Sequence, residues 1–172
     1  MSVRLAVPMI VAGAVLLAAD PLAAQPTDRT SLRGLAGVGI IVEPIGGDAG
    51  RFGLNRTALR IDTEIKLKEA GIRALSMEEY LDVPAGPYLH LNVKTVEAAT
   101  PGTHAYTINV DLRQDVLSSI LPDTILYEAT TWASAPILGT IASTELSTLR
   151  ARVQEVVDLF VADFVAANQD VP

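Results

Sequence analysis

The sequence predicts a single two-layer α+β domain: a five-stranded mixed sheet with two main helices on one face. Three patterns lead there. An apolar run from Leu35 to Pro44, a helix and a brief apolar segment read as a β-α-β unit. Three segments between Tyr88 and Ala133 follow the two-residue period of strands, forming an antiparallel meander. Leu146, Leu149, Val153, Val156, Phe160 and Phe164 step by threes and fours along a closing helix. A right-handed crossover places the first helix on one sheet face, and the closing helix must bury its stripe, which puts both on the same side.

The chain opens with Arg4, an apolar stretch from Leu5 to Ala19 and a small-residue exit from Asp20 to Ala24. These are the three parts of a secretory signal, with cleavage expected after Ala24. A membrane anchor would need roughly 20 apolar residues, and Asp20 and Pro21 interrupt the run. The expected organisation is a signal peptide over 1–24, a flexible leader over 25–31, one domain over 32–168 and a tail over 169–172. The protein is therefore expected to be periplasmic or secreted, with no stable membrane insertion after cleavage.

The run ending at Pro44 suits a strand buried on both faces, hence a central one. The glycine-rich segment Gly46 to Gly53 reads as a mobile loop. Asn55 then caps a helix to about Ala70, with Leu54 able to staple to Leu59 and Gly71 marking the end. Ile72 to Leu75 reads as the second strand. Ser76 and Glu79 form a capping-box pattern for one or two turns through Leu81. The meander follows, over Tyr88–Val96, Ala105–Val116 and Ile125–Ala133, and Ser143 is the expected cap of the closing helix.

In the meander, alternation places Leu89, Leu91 and Val93 toward the helices and His90, Asn92 and Lys94 on the other face. Asn109, Asp111 and Arg113 join that polar face from the next strand. These six are the candidate binding residues. Trp132 is the seventh: with Tyr127 toward the core it would face outward as a contact hot spot, and otherwise it packs beneath the Pro136 loop.

Composition narrows the functional classes. The net charge is −7, and Arg4 and Asp20 cancel, so the mature domain keeps all of it. Without a basic stripe, nucleic acid and anionic membrane surfaces are poor partners. The chain has no cysteine, so packing rather than disulfides must hold it, and lipid attachment at an acylated cysteine is excluded. Gly53-Leu54-Asn55 stands where a phosphate loop needs Gly-Lys-Ser/Thr. His90 and His104 lack further ligands at metal-site spacing. No serine sits in a nucleophile elbow. No cofactor, metal or catalytic residue is expected.

Val38 to Pro44, the helix end Lys66 to Ile72, the strand Pro87 to Val93 and the closing helix together resemble small uncharacterised exported bacterial proteins. The element order is similar to that of the amino-terminal domain of the Tol-system propeller protein and of the curli-secretion lipoprotein. The resemblance implies a periplasmic scaffold for protein contacts, with no catalytic motif and no functional residues to transfer. The expected function is a non-enzymatic interaction or envelope-assembly module that meets a protein partner or itself. The alternative is a small-molecule-binding protein or hydrolase on the polar sheet face, where His90, Asp111 and Arg113 converge.

Overall fold

The apolar run after Leu35 forms strand β1 (Gly39–Val42) in the computed structural model, which describes residues 29–121 and 123–169. The expected signal peptide and the end of the tail lie outside the described residues, as does the leader up to residue 28. Residues 29–31, expected to belong to the leader, already form part of the fold. A 3-10 turn at Arg29–Leu32 buries Leu32, and Arg29 pairs with Asp163 at 2.7 Å.

The segment Gly47–Phe52, expected to be a mobile loop, is instead a 3-10 helix that buries Ala49. Helix α1 (Arg56–Glu69) then starts as read: Asn55 Oδ1 accepts from the Ala58 N–H at 2.9 Å, and Leu54 and Leu59 are both buried. Its inward face is Leu59, Thr63 and Leu67. The expected strand at Ile72 to Leu75 is reduced to one parallel bridge between Val38 and Ala74. Too few residues separate the end of α1 from the Ser76 cap for a ladder to grow. Helix α2 (Met77–Asp82) follows, and its capping box is complete: Ser76 Oγ accepts from the Glu79 N–H while the Glu79 carboxylate accepts from the Ser76 N–H.

The meander is formed by β2 (Tyr88–Glu97), β3 (Thr103–Leu117) and β4 (Ile125–Ala133). The fifth strand is β5 (Ile137–Ala142), in a stretch read as loop because Pro136 and Gly139 flank and interrupt it. The 15-residue β3 is long enough to take two neighbours on one side, β4 along its second half and β5 along its first. Gly139 faces Tyr106 across this pairing, and a Cβ there would stand 2.8 Å from the Tyr106 hydroxyl oxygen. The glycine that looked like a breaker is thus the seat of an aromatic ring.

Strand order is β1-β2-β3-β4, with β1 parallel to β2 and the other pairs antiparallel. The sheet is therefore mixed and five-stranded as expected, but β5 takes the place of the strand expected at Ile72 to Leu75, and β1 is an edge, not a central strand. Its apolar character comes from lying under α1, and Ile40 and Ile41 are only half-buried.

Helix α3 (Leu149–Asn168) closes the fold beside α1. Ser143 is not its cap. It opens a 3-10 turn, Ser143–Thr148, and its hydroxyl lies 3.2 Å from His104 Nδ1. Leu149, Val153, Val156, Val157, Phe160 and Phe164 bury against Leu89, Leu91, Val93, Ile108, Val110 and Leu112, so both main helices cover one sheet face. Charged contacts join the helices at their rim, from Arg150 to Asp62 and from Lys66 to Asp158. Asn168 bridges the ends of the fold: its amide donates to Leu32 O at 3.0 Å and its carbonyl accepts from the Gly34 N–H at 2.8 Å.

Candidate functional site

The β1-β2-β3 register builds the polar face row by row. Gly39, Tyr88 and Arg113 align, then Ile41, His90 and Asp111, then Asn92 and Asn109, then Lys94 and Thr107. His90 is the centre. Its Nδ1 lies 3.0 Å from Asp111 Oδ1 and its Nε2 lies 3.0 Å from Glu43 Oε1. Arg113 Nε donates to the other Asp111 oxygen at 2.8 Å. Three of the candidate residues, His90, Asp111 and Arg113, therefore converge. Asn92 and Asn109 sit one row further, with Asn92 Oδ1 buried and without a hydrogen-bond partner among the described residues. Lys94 is exposed, beyond reach of the cluster's register.

Burial decides how two of the candidates stand. His90 lies on the polar face as read, and at this position that face is covered: His90 is 3% exposed. Ile41 flanks it from β1, and Tyr88 stacks edge-on to it at 6.3 Å, with Tyr80 of α2 edge-on to Tyr88 at 5.7 Å. Trp132 belongs to the opposite face. Register shifts on either side of Arg113 and Gln114, with Glu128 at φ 53°, break the simple alternation of β4. Trp132 consequently pairs with Leu112 and packs edge-on to Phe160 at 5.1 Å, while Tyr127 is 73% exposed.

Glu43 is the cluster member that sequence reasoning missed. It follows Gly39 and Ile41 at the strand period, which was the available signal, but it was taken as the end of an apolar run. Its carboxyl is held below the usual glutamate range, first by the hydrogen bond to His90. The Arg113 guanidinium is pushed up, first by its hydrogen bond to Asp111. Burial raises the Tyr88 and Tyr80 phenols.

Chemically, this is a cross-strand clamp. Both His90 nitrogens face carboxylates, so no lone pair is directed outward to accept a proton from a substrate in this geometry. Glu43 and Asp111 reach His90 from different sides. Among the described residues, no group of three or more such side chains is placed to hold a metal ion.

The open features of the surface lie elsewhere. One groove of about 330 Å³ runs along the β1 edge between Ile40, Ile41 and Val42 and Arg56, Thr57, Arg60 and Met77. Another, of about 590 Å³, lies under the β3-β4 hairpin between Ala85, Val116, Leu117 and Ile125. At the end of that hairpin Leu117, Ile120, Leu121 and Tyr127 are 75, 86, 56 and 73% exposed. No family model matches the chain, and no curated protein or solved structure matches it.

Proposed function

We propose that the protein works outside the cytoplasm, periplasmic or secreted, as a non-enzymatic contact module of the bacterial envelope. The observation that carries this reading is the β3-β4 hairpin end. Leu117, Ile120, Leu121, Ile125, Leu126 and Tyr127, all at least 46% exposed, form a run of large apolar side chains on one projecting hairpin. Large apolar side chains exposed close together in the chain are costly in water and characterise contact sites. The polar face supports the same reading from the other side, because His90, Asp111 and Arg113 are occupied with one another and with Glu43. The signal-peptide pattern over Met1 to Ala24 supplies the address.

Expression of the tagged full chain in a bacterium, followed by fractionation and in-cell crosslinking, tests this. The expected result is a shortened protein outside the cytoplasm, crosslinked into complexes that Ile120→Asp removes. An unshortened cytoplasmic protein, or complexes indifferent to Ile120→Asp, would overturn it.

A further inference from the structure

We infer that the hairpin end of one copy seats on the open β1 edge of the next, so that the protein associates head to tail with itself. This rests on the contact-module reading above and names its partner as a second copy of this chain.

The β1 edge is a strand edge left unfinished. Gly39 N–H donates to Pro87 O and Glu43 N–H to Leu91 O, each at 2.9 Å, so the odd-numbered residues of β1 face β2 and the even-numbered ones face away. On that outer side Val38 is paired with Arg73 O and the Leu75 N–H, and Val42 O accepts from Arg56 Nε at 2.9 Å. Ile40 N–H and C=O and Val42 N–H find no partner among the described residues. The chain that began to cover the edge turns into α2 and leaves the groove open, with Met77 61% exposed at its wall. Such an edge is a template for an added strand.

Charge selects the occupant. The groove lining carries two basic side chains, Arg56 and Arg60, and no acidic one. Residues 114–149, which include the hairpin, carry four acidic side chains and no basic one. Arg60 lines the groove and is in no salt bridge among the described residues. Hairpin against hairpin would set acidic surfaces together in a chain of net charge −7, and groove against groove would set Arg56 and Arg60 against their copies. Only the heterologous pairing joins unlike charges and an apolar hairpin end to an unfilled groove. β4 ends the sheet on its side, so its Ile125–Tyr127 stretch can offer backbone partners to Ile40 and Val42.

Sedimentation velocity across a wide concentration range tests this, with circular dichroism and thermal melts verifying that each variant is folded. The wild type should form a concentration-dependent series of oligomers that weakens as sodium chloride rises. Arg60→Glu and Ile120→Asp, both at exposed positions, should each weaken association by about tenfold or more. Mixing the two variants should restore a one-to-one dimer and nothing larger, because one supplies the intact hairpin and the other the intact groove. A wild type that stays monomeric, with or without binding to phosphatidylcholine vesicles, would overturn the inference while leaving contact with a different protein intact. Wild-type association by Arg60→Glu, or a mixture that fails to pair, would overturn it in favour of a symmetric contact.

Discussion

The indole nitrogen of Trp132 donates to Asp163 Oδ2 at 2.9 Å, joining the edge strand β4 to the closing helix α3. Asp163 also receives Arg29 at 2.7 Å, so one carboxylate holds the chain's described start, its last meander strand and its final helix together. Trp132→Phe keeps a phenyl ring against Phe160 but removes the donor with the five-membered part of the indole, and should cost about 1–3 kcal/mol. Trp132→Ala also empties the ring's site and should cost about 3–5 kcal/mol. Urea unfolding followed by circular dichroism checks both, and equal costs would show that the lost donor, not the packing of the ring, carries the effect.

The His90 clamp predicts coupling between strands. In a double-mutant cycle, His90→Gln and Asp111→Asn should each destabilise, and the double mutant should fall short of their sum by about 0.5–3 kcal/mol. Additive effects would show that the contact at 3.0 Å contributes no pairwise stability.

Stability should fall on the acid side. Glu79 is held below its ordinary value of 4.5, first by the Ser76 N–H, and Asp62 below 3.8, first by the hydrogen bond from Arg150. Carboxyls with depressed folded-state values stabilise the protein above the unfolded value, and that contribution disappears as pH drops through the folded one. Thermal midpoints should therefore hold from neutral pH to near the ordinary values of 4.5 and 3.8 and decline below them. Asp62→Asn should lower the neutral-pH midpoint and flatten the decline. An unchanged slope would remove Asp62 from the cause.

Gly37 marks the close approach of β1 to the segment after α1. A Cβ there would lie 2.6 Å from Arg73 O, a backbone atom in the Val38–Ala74 bridge region. Gly37→Ala should cost about 1–3 kcal/mol by forcing that backbone apart. Gly46→Ala, where nothing lies within 4 Å, should be close to neutral in the same thermal melts.

The legible parts of the fold are those that local periodicity controls. The helix α1 and its Asn55 cap, the Ser76 and Glu79 capping box, the alternation of β2 and β3 and the apolar stripe of α3 stand where the residues place them. The candidate site was half legible. Alternation put His90, Asp111 and Arg113 on one face, but their burial depends on Tyr88 and Tyr80, and Glu43 enters from a parallel neighbour that adjacency in the chain does not reveal. β5 was hidden because Gly139 reads as a breaker until Tyr106 is seen to occupy the space above it.

By itself the sequence determined the α+β class, the identity of the main elements and which side of most strands is apolar, because those follow from spacings within a few residues. Tertiary structure alone decided that β1 is an edge, that β4 and β5 share one side of β3, and that Trp132 faces the core past two register shifts. Strand order and bulges are set by long-range hydrogen bonding and by what the helices can cover, and no local pattern encodes either. The unfinished β1 edge and the apolar hairpin end emerge at that same level, from how the described strands are ordered.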